Sequence, residues 1–355
     1  MCTRDPLQCF IPPYIIEHLA QSADPAVRCR AIANLAASRA FLTVRTTAQA
    51  MPRLLVNRSP TRTRHRLIYD AQGGDRLPGS LVRSEGQAAG ADAAVNEAYD
   101  GSGITYDFFQ QLFQRNSLDD NGMSLVSTVH VAEVDYCGEF TPMNNAYWNG
   151  EQMAYGDGDR SVFRRFTGAL DVIAHELSHG IQSFTSNLVY SGQSGALNEH
   201  FADVFGILVR QWSAGESVEH SDWLIGKEVL VPAPTRRAIR SMAAPGTAYR
   251  DDPELGSDPQ PAHMEQFYSG PRDNGGVHLN SGIPNRAFVL AAQAIGGNAW
   301  EVTGRIWYET LLQLTSTSRF EDCARVSLQV AAQRHYKADV RKAVKAAWQQ
   351  VGVAV

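Results

Sequence analysis

The chain has 355 residues, long enough for two substantial cores and a short appended segment. Its 44% hydrophobic and 19% charged content is ordinary for a soluble globular protein, and a formal charge of −5 gives no electrostatic ground for a nucleic-acid partner. No run of roughly 18 apolar residues is present to span a membrane, and Cys2, Cys9, Cys29, Cys137 and Cys323 show no CxxC spacing, so neither a thiolate zinc site nor a disulfide framework is indicated.

Residues 1–50 read as a small helical unit. The opening MCTRDPLQCFIPPYIIEHLA lacks a basic start followed by an unbroken apolar run, because Pro12-Pro13 interrupts it, so it is not read as a Sec signal. Pro12-Pro13-Tyr14 is expected to be stiff and extended, with a short helix after it. Asp24 then stands where an N-cap belongs, Pro25 at the first helical position, and Val27, Ile32 and Leu35 on an apolar face. Residues 51–65, rich in Arg and interrupted by Pro, read as a linker with a processing site. From residue 66 the chain is rich in Gly, Asn and Asp with short β-branched runs, which predicts a β-rich lobe carrying one helix over VNEAYDGSGITYDFFQQLF. After residue 168, helical spacing of apolar residues dominates to the C-terminus.

The chemistry is concentrated in DVIAHELSHG. His175 and His179 are four residues apart, stacked on one helical face, so their imidazoles can converge on one metal ion with Glu176 beside them. A catalytic zinc needs a third protein ligand and an open position for water. Glu199, on a second predicted helix, can supply it. A third histidine six residues after His179 is ruled out, since Gln182 and Thr185 stand at the Gly and His positions of that pattern. Asp203, one turn beyond Glu199, is placed to accept from the imidazole N–H of His175, and Asn198 to orient His179.

These residues resemble the thermolysin family, whose His₂Glu zinc site is a standard example of its kind. The resemblance runs from about residue 66 to the C-terminus and rests on NNAYWNG, YGDGD, DVIAHELSHG, GALNEHFADVFG, RSM and DNGGVHLNSGIPNRAF in that order. It implies an α+β, two-lobed fold: a β-rich lobe over 66–186 that includes the zinc helix, a mainly α-helical lobe over 187–355, and the zinc site in the cleft between them. The activity implied is that of a secreted neutral endopeptidase, although no Sec signal is read; a cytoplasmic precursor is the alternative. One Zn²⁺ is expected on His175, His179 and Glu199, with Glu176 as general base. Tyr190 and His278 match donors to the developing oxyanion, and Asp273 matches the carboxylate that orients His278. Arg240, Asn145 and the Ala146 carbonyl match contacts to the substrate backbone. Phe163, Phe166, Val172, Ile225, Val229 and Ile239 stand at positions lining the pocket for the residue that follows the scissile bond. All six are apolar, which predicts cleavage before Leu, Ile, Val or Phe.

Residues 1–50 resemble the short prosegments of protealysin-type members, which carry an element like Pro12-Pro13-Tyr14. That likeness implies an inhibitory segment lying in the cleft until removal. Calcium is doubtful. Asp171 and Asp222 match ligands of the family's double calcium site, but Arg210, Leu224 and Lys227 occupy the others, and Leu230, Val231 and Arg237 stand at a second site. Ion pairs from Arg210 and Lys227 to Asp171 or Asp222 are expected instead. An aminopeptidase would want a carboxylate for the free amino terminus upstream of the zinc helix, and NNAYWNG offers none. A non-catalytic zinc protein would not require Glu176, Tyr190 and His278 together. No membrane insertion is expected.

Overall fold

The computed structural model describes residues 9–35, 62–135, 138–333 and 336–355. Most of the expected linker and the end of the N-terminal segment therefore lie outside the described residues. Among the described residues, no helix is long and apolar enough to cross a membrane.

The N-terminal lobe is a mixed sheet backed by a helix. Its strands are β1 (Arg66–Asp70), β2 (Ser80–Ser84), β3 (Leu125–Val134), β4 (Phe140–Pro142), β5 (Ala146–Trp148) and β6 (Met153–Gly156). They are ordered β2-β1-β3-β6-β5, with β4 also pairing β3. β1, β3 and β6 run parallel, while β2 and β5 are antiparallel to their neighbours. β5 is thus the last named strand on its side of the sheet, an edge where a further segment can pair. The long helix α3 (Ala93–Phe113) packs behind; Asp92 caps its start by accepting from Ala94 and Val95, and Gln114 ends it in the left-handed conformation.

The C-terminal half is helical, as its periodicity predicts. It contains α4 (Leu170–Ser183), α5 (Gly192–Ala214), α6 (Asp273–Asn280), α7 (Gly282–Ile295), α8 (Val302–Gln313), α9 (Phe320–Gln333) and α10 (Ala338–Gln350). A short ribbon of β7 (Leu224–Ile225) and β8 (Arg240–Ser241) lies beside α5. Trp307 stacks on Trp348 at 6.1 Å between ring centroids, joining α8 to α10. The crossing of α4 over α5 positions the site. It is close because residue 206 is glycine: a Cβ there would stand 2.7 Å from the Asp171 carbonyl oxygen and 3.4 Å from Cβ of His175.

The N-terminal segment departs from expectation at two points. Pro13 and Tyr14 are not extended but open α1 (Pro13–Leu19), with Pro12 as its N-cap. Proline's fixed φ suits the first helical position, where its missing N–H costs nothing. Of the three, only Pro12 is extended, and before it Cys9 forms a β-bridge. The next helix, α2 (residues 25–35 as described), starts where Asp24 and Pro25 place it, Asp24 Oδ1 accepting from Ala26 N at 2.8 Å. Val27, Ala31, Ala33 and Asn34 are buried and Leu35 is partly buried against the core, whereas Ile32 is exposed.

Candidate active site

α4 and α5 carry the site's central groups, and every one of them is buried. His175 Nε2 and His179 Nε2 face one another at 3.1 Å. The Glu199 carboxylate is 3.5 Å from each, through Oε2 and Oε1 respectively. Four ligands about 2.0–2.1 Å from a tetrahedral ion are separated by about 3.3 Å, so these spacings fit a zinc ion. The chemistry fits as well. Two imidazole nitrogens pointed at each other need a cation or a proton between them, and Glu199 Oε2 is a buried carboxylate oxygen without a hydrogen-bond partner. Burial alone favours a neutral His175, yet Asp203 and Glu199 beside it push its pKa up to about 9. Conversely, burial raises the Glu199 carboxyl, but His278, His179 and His175 hold it well below the usual range. The pocket is built to hold positive charge.

The surrounding groups fix these side chains. His179 Nδ1 meets Asn198 Oδ1 at 2.7 Å. His175 Nδ1 lies 2.9 Å from Asp203 Oδ1. Asp203 also receives Arg240 and, at 2.9 Å, Asn285 Nδ2. Burial would raise the Asp203 carboxyl, but Arg240 and His175 outweigh it and hold it strongly ionised. Glu176 lies next to the pair, its carboxylate within 4.8 Å of the ring nitrogens, and Oε2 accepts from Trp148 N at 3.0 Å.

His278 arrives from α6 on an unusual backbone. Asn274, Gly275 and Gly276 all have positive φ, and this left-handed turn folds Asp273 back over the first helical turn. Asp273 Oδ2 accepts from the backbone N–H groups of His278 and Leu279 at 2.7 and 3.0 Å, and Oδ1 meets His278 Nδ1 at 2.6 Å. Burial opposes protonation of His278, but Glu199 and Asp273 raise its pKa. Tyr190 stands between, donating to Glu199 Oε1 and lying 3.1 Å from His278 Nε2. Burial, foremost, and Glu199 keep its hydroxyl protonated.

The cleft holds the chain's own N-terminal residues. The resemblance places the segment there without saying which residues make the contacts; they include Cys9, Phe10 and Ile11, just before Pro12-Pro13-Tyr14. Cys9 pairs antiparallel with Tyr147, extending the sheet beyond β5. Phe10 N donates to the Ala146 carbonyl at 3.1 Å, and Ile11 N donates to Asn145 Oδ1 at 3.0 Å. Arg240 Nη1 donates to the Phe10 carbonyl at 3.0 Å, and His278 Nε2 to the Cys9 carbonyl at 3.1 Å. The Phe10 ring meets Phe166 and His175 edge-on, at 6.4 and 5.3 Å between centroids, under the Arg240 guanidinium. Phe163, Phe166, Val172, Ile225, Val229 and Ile239 are all in the buried cluster that contains Phe10. Gly226 shapes its floor, since a Cβ there would lie 2.6 Å from Cζ of Phe10. An available signal was the apolar Phe10-Ile11 immediately before the prolines, which matches the preference predicted for this pocket.

The expected calcium positions hold an ion-pair cluster. Arg210 reaches Asp222 Oδ1 at 2.7 Å, the Leu224 carbonyl at 2.8 Å, Glu216 at 3.8 Å and Asp171 at 3.9 Å, and Lys227 lies 3.2 Å from Asp222 Oδ2. Leu230 pairs with Phe163, Val231 N bonds the Val162 carbonyl, and Arg237 N bonds the Ala248 carbonyl, so these residues build backbone structure around the pocket.

Comparison with known proteins identifies the lineage. Residues 55–183 match the model of the thermolysin metallopeptidase catalytic domain, and residues 186–353 that of its alpha-helical domain. The chain belongs to the thermolysin metallopeptidase family. Within that family it is 47% identical to an extracellular metalloprotease of Pectobacterium carotovorum subsp. carotovorum, over 99% of this chain and 97% of that protein. It is 43% identical to protease PrtS of Photorhabdus sp. (strain Az29), over 98% and 92%. Among solved structures it resembles the precursor of protealysin, a metalloproteinase from Serratia proteamaculans, with a TM-score of 0.87 and 45% identity over 98% of this chain and 100% of that one. The two-lobed fold is therefore that of thermolysin-like metallopeptidases, and the protein is a zinc metalloprotease.

Proposed function

We propose that this metalloprotease is an endopeptidase made as an inhibited precursor, and that it cleaves before apolar residues. The observation that carries the reading is the convergence of His175, His179 and Glu199 on one buried point, with Glu176 beside the two histidines and Tyr190 and His278 beside Glu199. His175, His179 and Glu199 would hold the zinc, whose chemistry is to polarise a carbonyl and make water acidic. Glu176 accepts the water proton and delivers it to the leaving nitrogen. Tyr190 and His278 donate to the oxygen on which negative charge develops, and Asp273 keeps His278 oriented and charged. Asn145, the Ala146 carbonyl and Arg240 align the substrate backbone, while Asn198 and Asp203 hold the ligand histidines. The six apolar residues around Phe10 select the side chain that follows the scissile bond.

A casein digest with Glu176→Ala, and with chelation followed by zinc restoration, tests this reading. The substitution is expected to cost at least ~10²-fold in rate, and chelation to abolish activity until zinc returns. Activity persisting in Glu176→Ala removes the mechanism. A peptide-library digest checks selectivity, and dominant cleavage beside charged residues contradicts it.

Residues 1–50 are proposed as the inhibitory prosegment and 51–65 as the linker that is cut. Occupation of the cleft by Cys9–Ile11 supports this, as does the likeness to a protealysin precursor. A chain lacking residues 1–50 is expected to outpace the full chain on peptides, and equal rates refute inhibition. The extracellular relative supports export, which activity recovered from the culture fluid of expressing cells would check.

A further inference from the structure

We propose that the Cys9–Phe10 peptide bond is a self-cleavage site: the chain hydrolyses it in its own cleft and retains the new amino terminus at Phe10 as a bound product. The inference rests on the peptidase reading above and adds a modification site to it.

The argument is one of register. A segment that merely plugs a cleft can lie in either direction and at any offset. Here the Cys9 carbonyl oxygen receives the His278 Nε2 hydrogen bond, so one of the two proposed oxyanion donors addresses that carbonyl, while Tyr190 donates to Glu199 Oε1. The amide N–H that follows it, on Phe10, is held by the Ala146 carbonyl, and the Phe10 carbonyl by Arg240. Phe10 packs among the apolar pocket residues and is fully buried. Donor, leaving nitrogen and selected side chain therefore agree on one bond. The antiparallel pairing of Cys9 with Tyr147 fixes the direction of the strand.

In the step proposed, water adds to the Cys9 carbonyl carbon, Glu176 takes the water proton, the C–N bond breaks and the proton passes to the Phe10 nitrogen. The products are a carboxylate on Cys9 and an amine on Phe10. Among the described residues, most of the apolar anchoring lies after the cut. Phe10, Ile15, Ile16 and Leu19 are buried, and Glu17 pairs with Arg272. Scission frees residues 1–9 while residues 10 onward stay docked, so cutting here does not activate the enzyme. Activation requires a second cut beyond the helices.

The test is intact mass and N-terminal sequencing of the zinc-loaded full chain, incubated in water enriched in ¹⁸O. The expected result is a chain beginning at Phe10, a released 1–9 peptide with one ¹⁸O in its terminal carboxylate, and casein hydrolysis no faster than before the cut. Tenfold dilution should leave the half-time unchanged, because the reaction is intramolecular. Glu176→Ala should show no cut. Phe10→Leu should keep it, and Phe10→Asp should lose it by at least ~50-fold, since a carboxylate would be desolvated in an apolar pocket whose nearby cation, Arg240, is already paired with Asp203. No new terminus at Phe10, a cut elsewhere in residues 1–35, or a half-time that lengthens in proportion to dilution overturns the proposal. Casein digestion by Phe10→Asp separates the two readings. If that variant digests casein while the parent never gains a Phe10 terminus, only self-cleavage falls; if neither cuts anything, the peptidase reading falls too.

Discussion

Arg240 grips Asp203 through two parallel hydrogen bonds, Nε to Oδ2 at 3.0 Å and Nη2 to Oδ1 at 2.8 Å, and both residues are buried. The remaining nitrogen, Nη1, is thereby aimed at the carbonyl of whatever residue fills the apolar pocket, here Phe10. The same Asp203 carboxylate stands 2.9 Å from His175. One aspartate thus couples the His175 imidazole to the guanidinium that holds the Phe10 carbonyl.

Asp203→Asn should weaken both contacts. It keeps the shape but removes the charge that Arg240 and His175 share, and such second partners are typically worth ~10–100-fold in metal affinity. Competition with a chelator measures the zinc term, and KM for a peptide with an apolar residue after the scissile bond measures the Arg240 term. Zinc affinity equal to that of the parent would show that Asp203 does not act through His175. Arg240→Lys tests the other partner alone: it should raise KM with zinc affinity unchanged, because lysine offers no planar fork.

Phe10→Ala should make the full-length chain leaky. Fully burying a phenylalanine is worth about 1.5–3 kcal/mol, so the segment's hold on the cleft should weaken by roughly 10–150-fold. The readout is peptide hydrolysis by the intact precursor. Arg272→Ala is the contrast, since its pair with Glu17 is solvent-exposed and worth ~1 kcal/mol or less. Equal effects of the two would mean that the pocket does not anchor the segment.

Arg210→Met should destabilise the helical half by roughly 3 kcal/mol, because it strands the buried Asp171 carboxylate. Burial already pushes the Asp171 pKa up to about 6, against the pull of Arg210. A variant without that arginine gains most from protonating Asp171, so its deficit should be larger at pH 8 than at pH 5 in denaturant titrations. In the parent, removing calcium with zinc kept saturated should leave thermal stability unchanged. A fall would show that the Arg210 cluster does not substitute for the metal.

His130 should impose a pH-dependent loss of stability on the alkaline side. It bridges Asp157 at 2.8 Å and Asp92 at 2.9 Å, and the hydrogen bond to Asp157, then that to Asp92, overcome burial to raise its pKa from 6.5 to about 9. Because the folded value exceeds the unfolded one, the stabilisation is complete below about pH 6.5 and vanishes as pH rises through about 9. His130→Asn tolerates the positive φ of this strand position and should flatten the stability–pH curve over that window, as measured by urea unfolding. An unchanged slope would exclude His130 as its source.

Local periodicity carries a great deal in this chain. His175 and His179 must share a helical face whatever surrounds them, and the Asp24-Pro25 start of α2, the span of α3 and the helical run after residue 168 follow from rules that act within a few residues. The family motifs add the partners that are distant in sequence. Tertiary structure alone decides how closely α4 and α5 cross, set by Gly206, and that distance brings Glu199 within 3.5 Å of both imidazoles. It also decides that Arg240 and Asn285 share Asp203, and which N-terminal residues enter the cleft. Helix propensity is a local property that places Pro13 inside α1, but the choice of Cys9–Ile11 as the docked strand depends on the edge at β5 and a pocket assembled from 163–166, 225–229 and 239–240. No window of sequence contains both.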